Sequence, residues 1–352
     1  TQWQPNACND DFITIETIEC HTGGEPLRII TQGFPELKGN TILAKRRDCQ
    51  KNYDDLRRAL IFEPRGHADM YGAIITQAEH DDSHFGAIFI HNEGYSTMCG
   101  HAVIALAKCA VESGAVVQTG QVTDVIIDVP CGQIRAKAFA ENFPDENIIT
   151  KVSFDSVPSF VFAKEQRVEV DGVGTVNFDI AFGGAFYAYI QASSLGLTLT
   201  PEHQGTLIDY GKKIKDAVIN KITVSHPFEA DLSFLYGVIF VQENDQASFK
   251  PEEVHSRNVC IFADGEVDRS PTGTGVSARA ALLRVKEDLP PHTPIEIESI
   301  VGGRMSLSIQ QECNYFGKQA VIPRVGGRAY LTGVHQFLLD ENDIFPQGFF
   351  LR

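Results

Sequence analysis

Cys99, Gly100 and His101 open a stretch whose residue types and spacing could do chemistry. Residues 102–111 form a near-continuous apolar run that stops at Gly114. That pattern predicts a helix buried on most sides, with Gly114 at its C-cap. Cys99 then stands at the helix N-terminus, where unpaired amides and the helix dipole favour thiolate and lower a cysteine pKa. Gly100 lets a ligand approach the main chain, and His101 brings an imidazole to the same edge. The plain alternative is a buried cysteine that fills a core.

A second stretch repeats the layout. In Asp268-Arg269-Ser270-Pro271-Thr272-Gly273-Thr274-Gly275, the triplet Thr272-Gly273-Thr274 answers to Cys99-Gly100-His101. Val276 answers to Val103, and Ala278 to Ala105. A polar residue, a glycine and a small-residue helix thus occur once in each half. The repeat predicts two similar domains whose buried helices point their N-termini at a shared cleft. Amides at Gly100, His101, Gly273 and Thr274 would there hold a carboxylate.

The rest of the chain must position these two stretches. Its 352 residues suffice for two domains, and 43% apolar with 22% charged residues is a folded, globular composition. A net charge of -16 disfavours nucleic acid and anionic membranes as partners. No apolar run approaches a membrane span of about 20 residues, and Thr1 to Pro5 carry no basic-then-apolar leader pattern. Eight scattered cysteines without a CxxC point to a reducing, cytoplasmic setting.

Short strands around few helices are expected, without βαβ repetition. Alternating patterns predict strands at 12–18, 27–30, 73–76, 85–91, 122–129, 134–140, 152–154 and 160–162. Further strands fall at 235–242, 259–263, 295–298, 305–309, 320–322 and 328–333. Residues 201–218 read as an amphipathic helix with Lys212, Lys213 and Lys215 largely outside. Residues 1–10 read as a loose lead-in, and 343–351 as a tail apolar enough to dock. Cys20 and His21 lack the further ligands a zinc site needs; His21 is expected near the cleft. His80, His84 and His91 read as scattered solvated histidines, and the aromatic run at 178–190 as core. His67 and Asp69 fit a loop hydrogen-bonding role as well as a chemical one.

Taken together, these motifs resemble the proline racemase family. The resemblance rests on Met98-Cys99-Gly100-His101, on residues 268–275, on His21-Thr22-Gly23-Gly24-Glu25-Pro26 and on Glu63-Pro64-Arg65-Gly66-His67. Glu298-Ser299-Ile300, Gly327 to Gly333 and Gly348-Phe349 extend it over nearly the whole chain. It implies an α/β diaminopimelate epimerase-like fold of two pseudo-symmetric domains. Each would wrap a curved, mainly antiparallel sheet around a central helix, with the site between them. It also implies that the C-terminal tail returns to the first domain. The domains would then be 1–158 plus 338–352, carrying Cys99, and 159–337, carrying Asp268 and Thr272. A homodimer without cofactor or metal is implied as well.

One departure directs the expected chemistry. Racemases and 4-hydroxyproline epimerases of the family carry cysteine in both motifs; here the second position is Thr272. A threonine hydroxyl offers a hydrogen bond but is a poor acid or base near neutral pH. The Cys/Thr pairing resembles the branch that removes water from trans-3-hydroxy-L-proline, a small imino acid. On that resemblance Cys99 takes the α-proton, while His101 and Asp268 contact the ring nitrogen. The alternative is a proline racemase or 4-hydroxyproline epimerase.

Overall fold

Two glycine-led helices set the architecture, each inside a ring of strands. The structure is a computed structural model describing residues 12–144, 148–244 and 253–351. The expected lead-in at 1–10, with Cys8, lies outside the described residues. The first half runs β1 (Phe12–Thr22), β2 (Glu25–Gln32), α1 (Ile42–Asn52), α2 (Asp54–Ile61), β3 (Tyr71–Thr76) and β4 (Phe85–His91). It continues through β5 (Gly94–Ser96), α3 (Gly100–Glu112), β6 (Val122–Val129), β7 (Gly132–Ala140) and β8 (Ile149–Asp155). The second half opens with β9 (Ser159–Val170), β10 (Gly174–Phe182), β11 (Phe186–Gln191), α4 (Gln204–Lys221), β12 (Leu235–Glu243) and β13 (Val254–Phe262). It closes with β14 (Glu266–Val267), α5 (Gly273–Lys286), β15 (Ile295–Glu298), β16 (Arg304–Tyr315), β17 (Lys318–Gly327) and β18 (Ala329–Asp340).

The pairing repeats between the halves. In the first, neighbours run β18, β1, β2, β3, β4, β6, β7, β8, with β2–β3 and β4–β6 parallel and the rest antiparallel. In the second they run β9, β10, β11, β12, β13, β15, β16, β17, with β11–β12 and β13–β15 parallel. The β5 and β14 strands hang on β4 and β13 in the same way. Each step of the first series therefore has its counterpart in the second. The β8–β17 pair joins the rings into one sheet.

Each series curves around its helix, and the second closes through the β9–β17 pair. Residues 100–111 of α3 are all buried, as are residues 273–283 of α5. Each fully buried Val, Ile or Leu there contributes about 1.5–3 kcal/mol. Lys108, the lysine that interrupts the apolar run of α3, is satisfied by Glu112 at 2.6 Å and the Ile149 carbonyl at 2.7 Å. Gly114, with φ +78°, turns the chain out of α3. The C-terminal tail docks as expected: Phe349 N donates to the Glu63 carbonyl at 2.7 Å, and Arg65 binds Asp343 and the carbonyls of Phe345 and Pro346.

Two local expectations are corrected. Lys215 folds back to the Ala263 carbonyl at 2.7 Å and is half-buried, because its long stem covers apolar surface beside α4. His91 is buried rather than solvated; its ring stacks on Tyr71, and its Nδ1 lies 3.6 Å from Glu266.

Candidate active site

The two helix N-termini abut. A Cβ added at Gly100 would lie 2.5 Å from Gly273 Cα, and one added at Gly273 would lie 2.5 Å from Gly100 Cα. Only glycine fits at either position. Neither helix start is capped by a side chain, unlike α1, where Thr41 accepts from Ala44 N. The amides of Gly100 and His101 in α3 and of Gly273 and Thr274 in α5 are thereby left for whatever occupies the space between them.

That space is lined by Cys99, Gly100, His101, Asp268, Thr272, Gly273 and Thr274, so every residue singled out from the two motifs converges on it. Glu25, Tyr71, Met98, Tyr187, Tyr236 and Phe262 complete the walls. The free cavity is about 20 Å³, room for about one water. An imino acid therefore enters only if the walls part. Several bonds cross between the halves around it: Arg269 to Asp69 at 2.9 Å, Arg269 N to Glu25 at 2.6 Å, Thr97 to the Gly184 carbonyl at 3.0 Å and Arg47 to Asp231 at 2.7 Å. Asp69 is thus a structural anchor of this closed arrangement.

Cys99 is the best-supported side chain. Its Sγ lies 3.1 Å from His101 Nδ1. Burial holds the His101 imidazole below its usual pKa, hence neutral, and its ring donates to the Pro26 carbonyl. The remaining nitrogen is an acceptor, so the thiol donates to it. The lowered thiol pKa expected of a helix N-terminus is not found in this closed state. Burial raises it well above the ordinary cysteine value. The Ala102 amide and the Tyr71 hydroxyl pull it back by hydrogen bonding, whereas the charge of nearby Asp268 raises it further.

The opposite wall differs. Thr272 has φ +70°, a left-handed conformation that a β-branched residue rarely adopts. Its Oγ1 is buried and meets no nitrogen or oxygen partner among the described residues; the Cys260 thiol, a weak acceptor, lies beside it. Asp268 accepts from Ser270 N at 2.7 Å, and the Ser270 hydroxyl accepts from Thr272 N at 3.1 Å, which fixes the loop. Thr274 is held by the Tyr187 hydroxyl at 2.6 Å. Tyr187 comes from the aromatic run expected to be core only, and it is both core and wall.

Glu25 gained no role from the sequence, although it lay inside a quoted motif. It is wholly buried, and its Oε1 has no partner among the described residues. Burial, and then the charge of Asp268, raises its pKa well above the carboxylate range, so it is held protonated. Tyr71, Tyr236 and Phe262 carried no local signal, being isolated aromatics of distant strands. The structure does not bring His21 here: it stacks on Tyr330 and accepts from Gly24 N. The adjacent Cys20 thiol is buried and donates to the Leu27 carbonyl, away from it. Among the described residues no cluster of three or more His, Cys, Asp or Glu could hold a metal ion. No described helix is long and apolar enough to cross a membrane.

Comparison with known proteins agrees with this geometry. The proline racemase family model matches residues 17–350. A trans-3-hydroxy-L-proline dehydratase of Colwellia psychrerythraea is 61% identical, over 100% of this chain and 96% of its own. The human trans-3-hydroxy-L-proline dehydratase is 42% identical, over 96% and 95%. The crystal structure of a hydroxyproline epimerase from Agrobacterium vitis, with bound trans-4-hydroxy-L-proline, superposes with TM-score 0.88 at 27% identity over 96% of both chains. From its motifs, its paired rings and these matches, the chain belongs to the proline racemase family.

Proposed function

We propose that the chain is a hydro-lyase that dehydrates trans-3-hydroxy-L-proline to Δ1-pyrroline-2-carboxylate. The observation that carries this reading is the asymmetry of the cleft: one thiol, Cys99, faces one hydroxyl, Thr272, across the abutting glycines. The name borne by relatives at 61% and 42% identity supports the same reaction.

In this mechanism the uncapped amides at Gly100, His101, Gly273 and Thr274 bind the substrate carboxylate. Asp268 and His101 face the ring nitrogen. A positive amine brought beside Asp268 offsets the charge that raises the Cys99 pKa, so binding substrate favours the thiolate. The Cys99 thiolate then takes the α-proton. The electron pair of that C–H bond forms the bond between C2 and C3, and the C3–oxygen bond breaks. The Cys99 thiol returns its proton to the departing oxygen, which leaves as water. The enamine tautomerises to the cyclic imine. In trans-3-hydroxy-L-proline the α-hydrogen and the hydroxyl share one ring face, so one residue serves as base and then acid.

The working unit of this reading is a homodimer. The described cysteines are all free thiols, which supports a reducing, cytoplasmic setting.

Incubation with trans-3-, cis-3- and trans-4-hydroxy-L-proline and with L-proline tests the reading, followed by imine formation and chiral chromatography. Water loss from the trans-3 isomer, far faster than from the cis-3 isomer, is expected. Inversion of proline or 4-hydroxyproline at a rate matching or exceeding dehydration would make the protein a racemase or epimerase instead.

A further inference from the structure

Equivalent strands of the two halves end differently. β9 pairs with β10 along one edge, and its first residues pair with β17 along the other. The remaining outer edge of β9 carries Lys164-Glu165-Gln166-Arg167-Val168-Glu169. Charges of this kind blunt an exposed edge against pairing with another chain. β18 is the counterpart of β9. It pairs with β1 from Phe12 to Thr22, and among the described residues nothing pairs with its outer edge. Yet its central residues read Tyr330-Leu331-Thr332-Gly333-Val334-His335-Gln336-Phe337, with neither lysine nor proline. Val334 is 75% exposed, Tyr330 52% and Leu331 47%, and Ile13 of neighbouring β1 is 51% exposed. A long, bare, apolar edge is the feature that folded proteins otherwise cover.

We infer that the outer edge of β18 is covered by β18 of a second copy of this chain, antiparallel about a two-fold axis at Val334. An antiparallel edge is its own complement under such an axis. Centring on Val334 sets Thr332 opposite Gln336, Tyr330 opposite Leu338 and Arg328 opposite Asp340. The last pair is complementary in charge. Arg328 is exposed and makes no ion pair among the described residues. Beside it a cavity of about 690 Å³ also carries Lys151 and Arg304 against one carboxylate, Glu296, with Arg304 3.5 Å from Glu298. The partner's Asp340 and Glu341 would meet this cationic end at both ends of the pair, in a chain whose net charge of -16 otherwise opposes self-association. Where β9 shows charges, β18 shows a surface that fits itself.

The inference rests on the homodimer reading above but not on the reaction, and the test separates the two. Analytical ultracentrifugation of the parent at micromolar concentration should give twice the chain mass. Val334→Lys and Leu331→Lys should each raise the dissociation constant at least tenfold, with circular dichroism and melting temperature reporting that the variants fold. Arg328→Asp and Asp340→Arg should each weaken the dimer, and the double exchange should recover most of the loss. A monomeric parent overturns the homodimer and the interface together. A dimeric parent whose Val334→Lys and Leu331→Lys variants remain equally dimeric overturns the interface alone. A double exchange that recovers nothing overturns the Val334 register.

Discussion

The starts of α3 and α5 share one backbone plan and differ in nearly everything that touches a proton. Both begin with glycine, lack a side-chain cap and reach the same cavity. At α3 the preceding residue is extended, with φ -145°, and its thiol contacts His101, the Ala102 amide and Tyr71. At α5 the preceding residue is strained at φ +70°, and its hydroxyl meets no nitrogen or oxygen partner among the described residues, the Cys260 thiol lying beside it. The thiol is thus embedded in groups that move or hold protons, whereas the hydroxyl has at best a weak sulfur acceptor. A site with one equipped wall is suited to taking and returning a proton on one face. A two-base inversion needs both walls equipped.

The largest effect should come from the equipped wall. Cys99→Ala should lower turnover of trans-3-hydroxy-L-proline by at least about 10³-fold, the scale of losing a positioned base. Melting temperature should change little, since one buried sulfur is lost from a large core. A folded variant with substantial turnover would show that the thiol is not the base.

The shared plan can be broken next. Gly273→Ala places a Cβ 2.5 Å from Gly100 Cα and must push the two helix starts apart. A displacement of about 1 Å costs on the order of 10²-fold in kcat/KM. Gly205 of α4 has open space around its Cβ position, so Gly205→Ala is the control and should leave kcat/KM unchanged. Equal kinetics for both variants would mean that the abutting glycines do not set the site.

A smaller effect isolates one thiol partner. Tyr71→Phe removes a hydroxyl whose hydrogen bond lowers the Cys99 pKa. The base works deprotonated, so activity falls as pH drops through the thiol pKa. Removing the donor raises that pKa, and the acidic limb of kcat/KM must move to higher pH. A hydrogen bond to a charged group is worth about 1.5–3 kcal/mol, so the loss at neutral pH should be about tenfold or more. A uniform loss with an unmoved limb would make Tyr71 a packing residue only.

How far this comparison could be read from residues alone follows from what is local. The α3 helix was legible because its apolar run is long and ends at a glycine; β4 and β6 match their expected bounds, 85–91 and 122–129. The repeat of small-residue helices pointed to two walls because both polar residues stand directly before a glycine. What was not legible arrives through strand pairing. Tyr71 lies on β3, Tyr236 on β12 and Phe262 at the end of β13, each far along the chain from Cys99. Burial reversed two readings that rested on residue type: a helix-terminal thiol with a raised rather than lowered pKa, and a buried His91 taken for a solvated one. The φ of Thr272 could not be inferred either, since β-branched residues argue against that conformation.

The smallest expected effect sharpens the weaker wall. Thr272→Val keeps the shape and the β-branch, and so the backbone strain, while removing only the hydroxyl. A buried hydroxyl without a good partner costs about 1–3 kcal/mol relative to one that is satisfied, and Thr272 Oγ1, with only the weak Cys260 sulfur beside it, is close to such a group. The valine variant of the free protein should therefore be more stable, by about 1 kcal/mol, as read by chemical denaturation. If the hydroxyl finds its partner on the substrate, the same change should raise KM several-fold and leave kcat nearly intact, because binding is lost and the base is not. The two measurements must move in opposite senses. A valine variant that is less stable would mean that the hydroxyl is already satisfied in the free protein. One whose kcat falls as far as that of Cys99→Ala would make Thr272 a proton carrier, and the cleft two equipped walls rather than one.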